Sequence, residues 1–106
     1  MIHVIASIFI KEAKVPNVLK IYETFAPKVN QEEGCLLYLP TIDCKTDIAT
    51  QLQADNIVTV IDKWESMAAF KKHLSAPHVV EFRENIKESV EKVSIKVLKN
   101  ALRVDA

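Results

Sequence analysis

The run Ile57-Val58-Thr59-Val60-Ile61-Asp62-Lys63-Trp64-Glu65-Ser66 decides the architecture. Its first five residues are β-branched, and Val58, Val60, Asp62 and Trp64 alternate with Ile57, Thr59 and Ile61 at the two-residue period of a strand. Ser66 then fits a helix N-cap, because its hydroxyl can accept from the free N–H groups of a first turn. Met67, Phe70 and Leu74 follow as the inward residues of a short helix. Pro77 starts another helix, capped by Ser75 or Ala76, with Val79, Phe82, Ile86 and Val90 as its buried stripe. Lys87–Glu91 and Glu88–Lys92 pair on its outer side. A strand over about Val93–Lys99 closes this half and leaves a tail, Asn100–Ala106, in which Leu102 and Val104 are still apolar.

Working toward the N-terminus, the same order appears again. Ile2–Ile10 reads as a strand that is apolar on both alternating sets, apart from His3 and Ser7. Pro16 suits the first turn of a helix, and Val18, Tyr22, Phe25 and Val29 recur on one helical face. Pro27 predicts a kink or break near Thr24–Phe25, and the helix is expected to end at Gly34, the only glycine in the chain. Cys35–Thr41 forms the next strand, with Leu36 and Tyr38 on one set and Leu37 and Leu39 on the other. Asp43–Asp47 suggests a turn and Ile48–Gln53 a short edge strand. The order β-α-β-(β)-β-α-α-β predicts an α+β protein of the ferredoxin-like split βαβ kind, with helices on one side of an antiparallel sheet. No linker or repeat divides it, so residues 1–106 are expected to form a single domain.

Composition excludes several classes. A chain of 106 residues, 49% hydrophobic and 26% charged, is neither disordered nor low-complexity, and area scaling lets it bury about two-thirds of its surface. Fourteen basic and fourteen acidic residues are interspersed without a basic stripe, which argues against nucleic acid as a partner. The longest apolar run, about Val4–Ile10, is far short of the ~20 residues of a membrane span. The start Met1-Ile2-His3-Val4 lacks the basic leader and apolar core of a signal peptide. Cys35 and Cys44 are too few for a disulfide framework, so free thiols in a reducing cytoplasm are expected.

The strands also predict self-association. A half-exposed antiparallel sheet alternates apolar with polar, whereas the first three strands carry large aliphatic residues on both sets. Helices on one side cover one face, and an apolar patch on the other exceeds what a monomer tolerates. A second copy packed sheet to sheet, giving an isologous homodimer, covers it.

The chemistry-bearing residues are few. There is no Gly-rich phosphate loop, Cys-x-x-Cys, His-Glu-x-x-His or Gly-x-Ser-x-Gly. His73 and His78 lie five apart across Pro77, which is not a one-face metal-ligand spacing, so no metal site is expected. The densest cluster is Asp62-Lys63-Trp64-Glu65-Ser66 with His73-Leu74 and Pro77-His78. Trp64 at a strand end and His73 at a helix end could face one cavity between sheet and helices, and Tyr38 could add its phenol. Each also has a purely structural reading, as core residue or helix terminus. His78, early in a helix, is disfavoured as a cation and so suits a neutral acceptor.

Glu32-Glu33-Gly34-Cys35, Tyr38-Leu39-Pro40, Asp43-Cys44, Ile57-Val58, Trp64-Glu65-Ser66, His73-Leu74 and Pro77-His78, taken together, resemble the antibiotic biosynthesis monooxygenase family, and within it the bacterial quinol monooxygenases. The resemblance implies a dimeric α+β barrel that oxygenates hydroquinones or related phenols with O₂ and without flavin, haem or metal. It implies His73, His78, Trp64 and Tyr38 as catalytic residues, with Phe82, Asp62 and Phe70 against the substrate. Asp62 stands where relatives often carry glutamate. The positions matching the Asn–Trp–His triad of the haem-degrading branch are Ser7, His73 and Arg83, which speaks against haem cleavage, and Val60 replaces an asparagine used by some polyketide oxidases. On this reading His73 or His78 is the base, while the Trp64 indole N–H or the Tyr38 hydroxyl donates to the oxyanion. Two alternatives remain: an isomerase of a small carbonyl or phosphorylated signalling compound, with Lys72 and Arg83 for a phosphate, and a non-catalytic small-molecule-binding stress-response dimer. Oxygen uptake with hydroquinones separates them.

Overall fold

The computed structural model describes residues 1–103. Four strands, β1 (Ile2–Ile10), β2 (Cys35–Ile42), β3 (Ile57–Trp64) and β4 (Val90–Lys99), form one antiparallel sheet in the order β2-β3-β1-β4. Helices α1 (Val15–Asn30), α2 (Met67–Leu74) and α3 (Pro77–Ile86) bury their apolar stripes in the same core as the inward strand residues. This is the expected ferredoxin-like α+β arrangement. Inside the sheet, Val4, Ile8 and Ile10 of β1 meet Val58, Val60 and Trp64 of β3, all buried.

Local chemistry explains each junction. Ser66 Oγ accepts from the Ala69 N–H at 3.1 Å, capping α2 as its sequence implied. Pro77 occupies the first turn of α3, where no N–H is missed. Pro27, expected to kink or break α1 near Thr24–Phe25, does not break it: the helix runs on to Asn30. Pro27 and Glu23 both lie on the exposed side, so the Glu23 carbonyl that loses its helical partner faces water.

The helix also ends four residues before Gly34. That glycine instead takes a left-handed conformation, φ +83°, in the turn Glu32–Cys35, closed by the Cys35 N–H on the Glu32 carbonyl at 3.1 Å. A Cβ there would sit 2.6 Å from Ala69 Cβ, so α2 could not approach this turn over any other residue.

Three further expectations are corrected. A register shift between Cys35 and Leu37 places Leu36 at a bulge, exposed, rather than on one alternating set with the buried Tyr38. Residues 43–56 contain no strand. Gln51 Nε2 donates to the Cys44 carbonyl at 2.7 Å and Gln53 Nε2 to the Thr46 carbonyl at 2.9 Å, so side-chain amides fold this loop on itself. Val90 belongs to β4, not to the α3 stripe, and pairs with Ile10. Of the apolar tail residues, Leu102 is exposed, and Val104 lies outside the described residues.

The face away from the helices is more mixed than expected. Ser94, Ser7, Thr59 and Thr41 run abreast across all four strands as one row of hydroxyls. Beside it, Ile5, Ile61 and Leu39 run abreast as an aliphatic row, and on the other side Phe9 faces Ile57. Lys92 holds its ammonium 4.9 Å from the Phe9 ring centre. Much of the uncovered apolar surface lies on β4, whose Val93, Ile95 and Val97 point to the helix side but stay about half exposed.

Candidate active site

Between the sheet and α1–α3 lies a cavity of about 160 Å³, with Leu74, Arg83 and Val93 also on its lining. Its polar wall comes from adjacent strands and the end of α2: Tyr38 on β2, Asp62 directly opposite it on β3, and His73 in the last turn of α2. Its apolar wall includes Phe25, Phe70 and Phe82. Phe25 and Phe82 stack with ring centres 3.9 Å apart and planes within 6°. Tyr22 packs 4.8 Å from Phe82 and completes this wall.

Each polar side chain is held in place. Asn30, at the end of α1, accepts from the Tyr38 N–H and donates to its carbonyl, both at 3.0 Å. This satisfies the outward backbone groups of Tyr38 on β2, an edge strand among the described residues, and holds Tyr38 in place. Trp64 Nε1 donates to Asp62 Oδ2 at 2.8 Å, two residues along the same strand face. The Trp64 ring centre is 4.7 Å from that of His73, and the Tyr38 ring centre 5.9 Å from it. His73 Nδ1 lies 3.0 Å from Glu32 Oε2, and His78 Nε2 lies 2.7 Å from the same oxygen.

Burial sets the charge states. It pushes the Asp62 carboxyl up to about 6, against the opposing bond from Trp64. It lowers His73 below its ordinary value, and the Glu32 carboxylate only partly offsets this, so His73 is neutral near pH 7. It raises the phenols of Tyr38 and Tyr22 above their ordinary range, which keeps both as O–H groups. Cys35 is pushed up to about 11 by burial and by nearby Glu32, so it is a thiol rather than a nucleophile. Among the described residues no three His, Cys, Asp or Glu side chains converge as metal ligands, and no helix is long and apolar enough to cross a membrane.

Of the residues singled out from sequence, Tyr38, Asp62, Phe70, His73 and Phe82 line the cavity. Trp64 and His78 do not. Trp64 is fully buried against His73, and its only N–H is already bonded to Asp62. His78 sits on the outer side of Glu32, against Phe25 at 6.1 Å, and does not reach the cavity as a base. Three contributors went unassigned: Glu32, Tyr22 and Phe25. The two aromatics occur in the helical stripe and look like ordinary core; Glu32 sits in a turn, where only the fold brings it to two histidines 41 and 46 residues away.

The antibiotic biosynthesis monooxygenase family matches residues 1–85. The Escherichia coli (strain K12) protein named "Probable quinol monooxygenase YgiN" is 35% identical over 81 residues, covering 76% of this chain and 78% of its own. A crystal structure of an antibiotic biosynthesis monooxygenase superposes with a TM-score of 0.82 at 24% identity, over 96% of this chain and 100% of that one. Rv0793 from Mycobacterium tuberculosis does so with a TM-score of 0.80 at 16% identity, over 98% of each. The two superpositions show the shared fold, and the family match with the YgiN similarity settles kinship: the chain belongs to the antibiotic biosynthesis monooxygenase family.

Proposed function

We propose that the protein is a cofactor-independent monooxygenase of small hydroquinones. Family membership and similarity to a protein named as a quinol monooxygenase support a monooxygenase-type activity. The observation that carries the finer reading is one aromatic-walled cavity in which a neutral imidazole, a phenol O–H and a carboxyl group meet. A cavity of ~150 Å³ accommodates benzene, so 160 Å³ takes a single ring, with larger substituents extending toward Arg83 and Val93.

Ground-state O₂ is a triplet and reacts slowly with closed-shell molecules unless they give up one electron easily. An ionised hydroquinone is such a donor. In the overall reaction one oxygen atom enters the ring and the other leaves as water. The product is a hydroxyquinone, and the hydroquinone itself supplies all four electrons. No external reductant is then required.

The chain's task is to ionise the ring and hold it dry. A phenol near 10 facing an imidazole near 6.5 is mismatched by ~3.5 units, about 5 kcal/mol, before any help from the site. Burial of His73 widens this gap, so the oxyanion must be stabilised where it forms. His73 accepts the first proton, and Tyr38, kept protonated, donates to the oxygen left behind. Asp62, when ionised, accepts from the second hydroxyl and raises the electron density of the ring. The phenylalanines exclude water.

A homodimer belongs to the same proposal, with a second copy over the outer sheet face at the Ile5–Ile61–Leu39 row and along β4. Two free cysteines support a reducing, cytoplasmic setting. The test is oxygen uptake with benzo- and naphthohydroquinones, corrected for spontaneous oxidation. Acceleration that His73→Gln abolishes is expected. No acceleration in the native protein would return the chain to the isomerase or binding readings.

A further inference from the structure

Glu32 is the one carboxylate placed between both histidines, and the reaction outlined above makes no use of it. It occupies the first position of the Glu32–Cys35 turn, in neither helix nor strand, with its side chain 15% exposed. Its Oε1 and Oε2 lie 3.1 and 3.0 Å from His73 Nδ1, and Oε2 lies 2.7 Å from His78 Nε2. A carboxylate only accepts hydrogen bonds, so each ring nitrogen facing it carries a proton.

For His73 this has a sharp consequence. Its ring is neutral and holds one N–H, and that N–H is spent on Glu32 at Nδ1. Nε2, across the ring, is left as a lone-pair acceptor. No described residue hydrogen-bonds it. Among the described residues no sealed side-chain nitrogen or oxygen lacks a partner, so Nε2 is not sealed, and it lies on the ring edge away from Glu32 in a residue that lines the cavity. The His73 ring is also hemmed in, with Trp64 packed against it at a tilt, Phe70 stacked near it and Tyr38 beside it. His78, its side chain 31% exposed, meets Glu32 from α3 and holds the carboxylate from the far side. It also faces Phe25, which carries no charge.

We propose that Glu32 is a positioning residue that locks His73 in the Nδ1–H tautomer, with Nε2 turned to the substrate, and that His78 acts only by steadying Glu32. When Nε2 takes the substrate proton, the imidazolium formed is stabilised by the same carboxylate, and the proton returns from Nε2 as the reduced oxygen leaves as water. The proposal rests on His73 being the proton acceptor of the site, but its main test does not.

Nitrogen-15 NMR of the imidazole rings reads the tautomer directly, in the native protein and without substrate. Near pH 7 His73 is expected to show a protonated Nδ1 and an unprotonated Nε2. A protonated Nε2 in the native protein overturns the proposal. In Glu32→Ala the Nε2–H form, which free histidine prefers, should appear, and Glu32→Asp should restore part of the native pattern. With a hydroquinone substrate, Glu32→Ala should lower kcat about ten- to a hundredfold with little change in KM. His78→Ala should act in the same direction, adding little to Glu32→Ala. An unchanged tautomer in Glu32→Ala, or additive losses in the double variant, contradicts the assignment. If the tautomer is as expected but no hydroquinone is oxygenated, the positioning role stands and the substrate reading falls.

Discussion

Strands β3 and β4 flank β1, run antiparallel to it, and have similar apolar content, yet they end in opposite situations. The inward residues of β3, Val58, Val60, Asp62 and Trp64, are sealed under the helices. The corresponding residues of β4, Val93, Ile95 and Val97, are 57%, 50% and 43% exposed. Three helices over a four-stranded sheet leave one strand uncovered. The covered strand can bury a carboxylate and an indole against a histidine, where low dielectric makes charge states adjustable. The uncovered strand brings no ionisable group to the cavity, only the half-exposed apolar side chains Val93 and Ile95 at its margin. The polar groups of the cavity thus lie on the β3 side of β1, and β4 gives it only that apolar margin.

Substitutions can break this comparison. The largest effect belongs to Trp64→Ala, which opens a buried cavity and strips Asp62 of its donor. It should cost about 3–5 kcal/mol by chemical denaturation, whereas Ile95→Ala on β4 should stay within about 0.5 kcal/mol in the isolated chain. Similar costs at the two positions would erase the distinction. A smaller loss tests how β2 is finished as an edge. Asn30→Ala removes both bonds to the Tyr38 backbone and should cost about 1–3 kcal/mol, read in the same way.

The pH dependence sharpens the same point. Asp62 has a folded value of about 6, above its ordinary 3.8, so the folded chain holds its proton more tightly than the unfolded one. Stability from this group is therefore complete below about 3.8 and is lost as pH rises toward 6. His73 has the opposite sign: its value falls on folding, so its contribution is complete above 6.5 and is lost as pH falls below that. Asp62→Asn should accordingly raise Tm above pH 6, with the gain fading toward pH 4, while the His73-dependent fall on acidification persists. A pH-independent gain would show that Asp62 is not buried as a carboxylate. On β4, Ile95→Lys or, on the outer face, Leu39→Lys should leave the fold intact and weaken self-association in sedimentation. Association unaffected by either would move the dimer contact elsewhere.

The fold was readable because strand and helix periods alternate cleanly, and because Ser66 and Pro77 mark helix starts whose chemistry is local. What misled was equally physical. Pro27 lies on the solvated side of α1, where a lost helical bond goes to water. A single inserted residue at Leu36 reversed the expected facing of the start of β2. Periodicity put Asp62 on one strand face with Val58, Val60 and Trp64 but says nothing of long-range partners. Hence the commitment of Trp64 to Asp62, and the convergence of His73 and His78 on Glu32, emerged only with the coordinates. Residues 43–56 resisted reading because glutamine side chains, rather than a neighbouring strand, bind their backbone.

The central claim is that the covered side of the sheet ionises and shelters a hydroquinone for direct reaction with O₂. The most direct measurement is oxygen consumption with a naphthohydroquinone at pH 7, comparing the native protein with His73→Ala. The account predicts uptake well above the spontaneous rate, and a loss of about 10²- to 10⁴-fold in kcat for the variant. Uptake at the spontaneous rate in the native protein, or a variant as fast as the native one, would contradict it.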